Sequence, residues 1–187
     1  CKNKEYGYKT YYLEEAFSIV PVITILDEIE IINNLNIENN LNEITKQLDT
    51  KYNVFNENSL ISKINKSSGI SEVQVDEEFI NIIKQAINIS KQTEINNKSL
   101  YDISIFSIWK EWDFQNNYYQ YYNYKSPPNN EIIKQKLPLV DYNNIIINEE
   151  QKTIFLKEKE MMIDLGSIVK GYAAEKIAEY LLSLNLK

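Results

Sequence analysis

The stretch MMIDLGSIVKGYAA, residues 161–174, organises the rest of the chain and contains two of its four glycines, Gly166 and Gly171. Its apolar start predicts a strand over 161–165, and apolar residues at helical spacing as far as Leu182 predict a following helix. A glycine between a strand and a helix is typical of an anion site. Free backbone N–H groups and the positive end of the helix dipole meet where a helix begins.

The side chains around this turn have two interpretations. In the first, Lys170 adds a positive charge near a bound phosphate, and Asp164 accepts hydrogen bonds from N–H or O–H groups of a ligand. In the second, the turn is only structural: Gly166 makes the turn, Gly171 allows close packing, and Asp164 caps the helix. The spacing alone does not decide between them.

Composition and charge limit the class of protein. The chain has 187 residues, of which 43% are hydrophobic and 25% are charged, as expected for one globular domain or for part of a larger one. The formal net charge of −7 argues against nucleic acid as the main partner. The longest apolar runs stay far below the roughly 18 residues of a membrane-spanning helix.

The single cysteine stands at position 1. A leading cysteine followed by a polar segment is typical of a bacterial lipoprotein after removal of its signal peptide. We therefore expect an extracytoplasmic protein that a lipid on Cys1 anchors to the bacterial cell membrane, with residues 1–16 as a tether. The alternative is that the position of Cys1 is an accident of cloning or numbering.

The rest of the chain predicts an α+β fold of mixed helices and antiparallel sheet. A low-complexity stretch at about 115–130 predicts an exposed insertion. The other predicted elements are one or two strands in 17–32, helices over 36–50, 59–65, 77–93 (with Asp76 as the N-cap) and 130–136, and strands over 145–147 and 153–156.

Three segments, in this order, resemble the ApbE family of flavin transferases, which move FMN from FAD onto proteins. Residues 164–173, DLGSIVKGYA, are similar to the family motif D-L-G-G-I-A-K-G-Y-A. Residues 99–102, SLYD, with Trp112 downstream, resemble the G-A-F-D-P segment and its following Trp. Residues 48–65, which begin Leu-Asp and end SLISKIN, resemble the segment L-D…Y…S-E-L-S-R-L-N.

The resemblance covers residues 17–187 and departs from the family pattern at two places. Residues 20–22, Val-Pro-Val, stand where the family has M-G-T, and residues 99, 100 and 103 replace its Gly, Ala and Pro. The resemblance implies an ApbE-like (T-fold-like) domain. The domain of the family is usually much longer, so we expect this chain to be its N-terminal portion.

The resemblance also implies a set of site residues. Asp164 would contact FAD with Lys170 beside it, and Ser167 would help hold Mg²⁺ through its backbone oxygen. For Tyr101 and Phe55, packing in the core is the alternative. The residues that would line the flavin or adenine pocket are Leu100, Tyr101, Asp102, Phe55 and Val20.

The implied reaction is a Mg²⁺-assisted attack of a Thr or Ser hydroxyl of an acceptor flavoprotein on the FAD pyrophosphate, with release of AMP. The acceptors would be flavoproteins of extracytoplasmic electron transfer. The remaining metal ligands of the family and a His near the reacting phosphate lie in the later half, and this sequence has no histidine, so no catalytic residue is assigned. The alternatives are a truncated or inactive form, a non-catalytic lipid-anchored module that binds a flavin nucleotide or a partner, and a structural remnant without a ligand.

Overall fold

The computed structural model describes residues 5–113 and 127–186, and its helices and antiparallel sheets confirm the predicted α+β class. The strands are β1 (Tyr6–Tyr12), β2 (Val22–Glu28), β3 (Val73–Gln74), β4 (Glu94–Ile95), β5 (Lys98–Ser99), β6 (Ile145–Asn148) and β7 (Thr153–Leu156). The α-helices are α1 (Ile29–Asn34), α2 (Glu38–Tyr52), α3 (Leu60–Lys66), α4 (Glu77–Gln92), α5 (Phe106–Trp109), α6 (Asn130–Lys136) and α7 (Gly166–Ser183).

The first two strands form an antiparallel hairpin in which Tyr6 pairs with Glu28 and Tyr12 with Val22. This differs from the prediction of a tether over residues 1–16, of which residues 1–4 lie outside the described part. The sequence there is polar, but Tyr11 is buried on one face of the hairpin, where it packs in a cluster with Ile25 of β2. Because Tyr11 is the one buried residue of β1, the strand does not show as an apolar run.

The segment 17–32 contains a single strand, β2, because α1 follows it directly. The helices predicted over 36–50 and 77–93 are confirmed as α2 and α4. Asp76 is the N-cap of α4, and its carboxylate accepts a hydrogen bond of 2.9 Å from the N–H of Phe79. A hydroxyl cap, that of Ser59, likewise begins α3 by accepting a bond from the N–H of Ser62.

A second sheet has the strand order β3-β7-β6, and both pairs are antiparallel. The predicted strands 145–147 and 153–156 are confirmed as β6 and β7. Helices α3, α4 and α7 contribute to the main hydrophobic cluster together with this sheet. Ile154 and Leu156 of β7 are buried in that cluster beside Met161 and Ile163.

The strand predicted over 161–165 is wrong, because these residues form no strand and pair with none in the described structure. Side chains take the place of a neighbouring strand. The amide of Asn65 bonds both the N–H (2.8 Å) and the C=O (2.9 Å) of Ile163. The hydroxyl of Ser107 bonds the N–H (2.8 Å) and the C=O (3.1 Å) of Met162 in the same way.

The insertion predicted at about 115–130 lies largely outside the described residues, and only 127–130 of it lead into α6. The helix predicted over 130–136 is confirmed as α6. Across 5–113 and 127–186, no helix combines the length and the apolar character that crossing a bilayer requires.

Candidate active site

A cavity of about 580 Å³ opens where the N-terminus of α7, the loop after β5 and the C-terminal end of α2 meet. All of the predicted site residues except Val20 line it. Val20 is exposed and does not line this cavity. The lining residues are Phe17, Tyr52, Asn53, Val54, Phe55, Ser99, Leu100, Tyr101, Asp102, Ile103, Ile105, Phe106, Trp109, Val140, Asp164, Gly166, Ser167 and Lys170.

The turn into α7 brings the Asp164 carboxylate against the first residue of the helix. Its Oδ1 accepts a hydrogen bond of 2.9 Å from the N–H of Gly166. A Cβ at position 166 would lie 3.2 Å from Oδ1 and 3.3 Å from Oδ2 of Asp164, so glycine permits this close approach. A Cβ at Gly171, by contrast, would meet no described atom within 4 Å apart from its chain neighbours and the backbone of its own helix, which does not support close packing as its role.

The Asp164 carboxylate lies in a largely desolvated position. Burial raises its pKa above the usual value, and the N–H of Gly166 and the charge of Lys170 only partly oppose this shift. A desolvated carboxylate gains from further hydrogen-bond donors. The cavity side of Asp164 is therefore suited to a ligand that offers N–H or O–H groups.

The N-terminus of α7 offers fewer free backbone donors than the sequence suggests. The N–H of Gly166 is used by Asp164, and those of Ile168 and Val169 both donate to the carbonyl of Leu165 at 2.9 Å. The predicted anion site therefore depends more on the charge of Lys170 and on the helix dipole than on unoccupied N–H groups.

Tyr101 and Ser167 connect the loop after β5 to α7. The phenolic oxygen of Tyr101 lies 2.9 Å from the Ser167 hydroxyl oxygen. Burial and the nearby Asp164 and Asp102 carboxylates raise the pKa of Tyr101, although the bond to Ser167 opposes this. The phenol therefore keeps its proton at neutral pH.

Asp102 holds the backbone of its own surroundings. One carboxylate oxygen accepts bonds from the N–H (2.9 Å) and the hydroxyl (2.6 Å) of Ser104. The other accepts a 2.9 Å bond from the N–H of Tyr142. Any ligand contact to this carboxylate would have to share it with these donors.

Aromatic rings form the opposite wall. The ring centroids of Phe55 and Trp109 are 6.1 Å apart, and those of Phe106 and Trp109 are 5.5 Å apart. Trp109 lines the cavity, although none of the sequence patterns above indicates it as a site residue. The spacing of Phe106 and Trp109, three residues apart on one helical turn, could have indicated this pair.

The described residues do not by themselves fit a Mg²⁺ ion. No group of three or more His, Cys, Asp and Glu side chains within 5–113 and 127–186 is arranged to hold a metal. Among the predicted site residues, Asp164 is the carboxylate that directly precedes the turn into α7, near Ser167. It already accepts a hydrogen bond from the N–H of Gly166. A hard cation prefers about six oxygen ligands, so further donors would be required.

Comparison with known proteins identifies relatives. The family model described as ApbE family matches residues 18–187. The FAD:protein FMN transferase of Klebsiella pneumoniae is 25% identical over 139 residues, which are 74% of this chain and 41% of that protein. The enzyme of the same name from Haemophilus influenzae is 24% identical over 148 residues, 76% of this chain and 40% of that protein. The chain thus spans about two fifths of the length of these curated relatives.

Solved structures show the same fold. The ApbE protein of Thermotoga maritima aligns with a TM-score of 0.73 at 27% identity, over 94% of this chain and 53% of that one. The flavin transferase ApbE from Vibrio cholerae aligns with a TM-score of 0.78 at 15% identity, over 98% of this chain and 55% of that one. The family model, the relatives and the ApbE-like fold agree, and the chain belongs to the ApbE family.

Proposed function

We propose that this chain forms the FAD-binding part of an FAD:protein FMN transferase. The complete enzyme would transfer FMN from FAD to a Thr or Ser hydroxyl of an acceptor flavoprotein and release AMP. The observation that carries the proposal is the cavity itself. Its walls bring together Asp164, Ser167 and Lys170 from the family motif with Tyr101 and Phe55 from the two upstream segments.

Different parts of the cavity wall would bind different parts of the FAD molecule. The planar rings of a flavin or adenine would stack on the aromatic wall around Trp109 and Phe55. Lys170 would attract the negative charge of the pyrophosphate. Asp164 would accept hydrogen bonds from N–H or O–H groups of the nucleotide, and its low-dielectric position strengthens those bonds.

The transfer step breaks one phosphoanhydride bond and forms one phosphoester bond. The acceptor hydroxyl oxygen would form a bond to the FMN phosphorus and release its proton to solvent, while the pyrophosphate P–O bond breaks and AMP leaves with the second phosphate and the bridging oxygen. The residues of this chain would orient the two phosphates for in-line attack.

We propose that the backbone oxygen of Ser167 supplies one ligand to a Mg²⁺ ion, with the other ligands coming from outside the described residues. When bound, the ion neutralises negative charge on the pyrophosphate. The acceptors that we propose are flavoproteins of extracytoplasmic electron transfer.

A thermal-shift titration tests FAD binding. We expect FAD with Mg²⁺ to raise the melting temperature of the protein, and Asp164→Ala to remove that rise. No rise at millimolar FAD would contradict the proposal.

A transfer assay tests the chemistry. The protein is incubated with FAD, Mg²⁺ and an acceptor flavoprotein, and the acceptor is weighed by mass spectrometry. An added FMN group supports transfer. An acceptor of unchanged mass beside a clear FAD-dependent thermal shift would instead favour a non-catalytic module that binds flavin nucleotide.

The lipid anchor stays a prediction, because Cys1 lies outside the described residues. Growth with radioactive palmitate tests it directly. We expect label on the protein and none on a Cys1→Ser variant. An unlabelled protein would contradict an anchor at this residue.

A further inference from the structure

Glu78 lies at a junction of three helices, behind the cavity rather than in its wall. One carboxylate oxygen accepts hydrogen bonds of 2.9 Å from the Tyr52 phenol and from the Lys51 ammonium, at the C-terminal end of α2. The other accepts a 2.8 Å bond from the phenol of Tyr172 on α7. Glu78 itself is in the first turn of α4, where a negative charge also suits the helix dipole.

The junction keeps these groups in fixed protonation states. Burial disfavours the charge on Glu78, but the bonds from Lys51, Tyr172 and Tyr52 outweigh it and lower its pKa. Burial and the Glu78 charge raise the pKa of both tyrosines. At neutral pH the carboxylate is therefore ionised and both phenols donate to it.

Each tyrosine lies in the cavity wall or within a few residues of it on the same helix. Tyr52 is 1% exposed, stacks on Phe79 with ring centroids 5.1 Å apart, and lines the cavity together with the residues that follow it as far as Phe55. Tyr172 stands on α7 two residues after Lys170 and five after Ser167, and both of those residues line the opposite side.

We propose that Glu78 is a positioning residue that sets the spacing between the Tyr52–Phe55 wall and the N-terminus of α7, and thereby the affinity of the cavity for FAD. The inference rests on the proposed function for the identity of the ligand, but the positioning can be measured without ligand. Bonds to both carboxylate oxygens fix the distance between the two tyrosines, whereas either bond alone would leave α7 free to shift.

Hydrogen–deuterium exchange of the ligand-free protein tests the positioning. We expect Glu78→Ala and Tyr172→Phe to speed amide exchange in residues 164–170 by about five-fold or more, with little change in β6 and β7. The matched control is Glu149→Gln, which removes a carboxylate bonded to Lys84 at 2.9 Å on the exposed surface. Equal exchange at 164–170 in Glu78→Ala and wild type would overturn the inference, as would a uniform rise over the whole chain.

The FAD dissociation constant, measured where every variant is folded, tests the consequence. We expect about a ten-fold weaker affinity for Glu78→Ala and about a five-fold weaker affinity for Tyr172→Phe. The double variant should be no weaker than Glu78→Ala alone, because both changes remove the same contact. Glu78→Gln can still bond all three partners and should restore the affinity to within about two-fold of wild type.

The two measurements separate the possible failures. A wild-type chain that binds no FAD would contradict the proposed function, while the exchange result would still decide whether Glu78 positions α7. Affinities of Glu78→Ala and Tyr172→Phe within two-fold of wild type would overturn the link between the junction and ligand binding.

Discussion

The phenolic oxygen of Tyr101 lies 2.9 Å from the hydroxyl oxygen of Ser167, and this contact joins the loop after β5 to the first turn of α7. The ring of Tyr101 and its hydroxyl therefore have separable roles. The ring forms part of the cavity wall, and the hydroxyl holds two elements of the wall together.

Substitutions at Tyr101 can separate these roles. We expect Tyr101→Phe, which keeps the ring, to weaken FAD binding by about three- to five-fold, the value of one neutral hydrogen bond. Tyr101→Ala, which also removes the stacking surface, should weaken it by more than ten-fold. Isothermal titration with FAD measures both.

The matched control is Tyr8→Phe, since Tyr8 is 75% exposed on β1 and does not line the cavity. Ser167→Ala removes the same bond from its other side and should match Tyr101→Phe. Equal affinities for Tyr101→Phe and wild type would show that the bond has no part in binding.

Replacing Asp164 should raise the free energy of unfolding and weaken FAD binding. Because burial raises the pKa of Asp164 in the folded state above the usual value of an aspartate, the folded protein holds the proton more tightly than the unfolded chain. The free energy of unfolding therefore falls as pH rises from the unfolded to the folded pKa, and the penalty stays in full at neutral pH. Asparagine avoids the charge and can still accept the N–H of Gly166.

We expect Asp164→Asn to be more stable than wild type at pH 7. Its melting temperature should be a few degrees higher, since each kcal/mol of stability corresponds to about 2–4 °C for a protein of this size. This advantage should shrink as the pH falls through the folded pKa and be nearly lost at about pH 3, where Asp164 is mostly protonated in both states. FAD binding should weaken at the same time. Urea unfolding at both pH values measures the first effect, and a variant less stable than wild type at pH 7 would contradict the argument.

The two glycines of the motif should respond differently to alanine. In Gly171→Ala the new methyl group meets no described atom within 4 Å, so the gain in helix propensity should stabilise the protein by about 0.5–1 kcal/mol. In Gly166→Ala the methyl group lies 3.2 Å from the Asp164 carboxylate, which must shift. We expect no such gain there, together with weaker FAD binding.

Thermal unfolding of the two variants side by side provides the test, and each glycine is the control for the other. Equal stabilisation by both alanines would mean that the contact between position 166 and Asp164 does not constrain the turn.

The elements that the sequence predicts well are those whose signals are local. Helix α4 has its cap at Asp76 and its apolar face within one segment, and β6 and β7 are short apolar runs separated by a polar turn. The spacing at the turn indicates Asp164 and Lys170 but leaves a purely structural turn equally open, and Ser167 and the residues of the two upstream segments follow only from the family resemblance.

The features that the sequence does not predict depend on partners far along the chain. Strand β1 is polar in composition and becomes a strand through pairing with β2, which lies beyond a turn. The segment 161–165 forms no strand, and its residues Ile163 and Met162 bond instead to the side chains of Asn65 and Ser107, which are 98 and 55 residues away. No local pattern contains these contacts, because a buried Asn and a buried Ser look like ordinary polar residues of a helix.

The Asn65 side chain gives the last prediction, because it substitutes for a strand at the entrance to the motif. Its amide bonds both polar backbone groups of Ile163, which is fully buried one residue before Asp164. Asn65→Ala would leave the N–H and the C=O of Ile163 without these bonds, at a cost of about 1–3 kcal/mol for each buried group. Asn65→Asp can still accept from the N–H, but it offers no donor and adds a buried charge.

We expect both variants to lower the free energy of unfolding by at least about 2 kcal/mol, as measured by urea denaturation. The exposed Asn81→Ala on α4 is the control and should change it by no more than about 0.5 kcal/mol. Since Ile163 precedes Asp164 directly, FAD affinity should fall even where the Asn65 variants remain folded. If Asn65→Ala cost less than 1 kcal/mol, the segment would be held by its buried apolar side chains alone, and the amide pairing would not be what places Asp164 at the cavity.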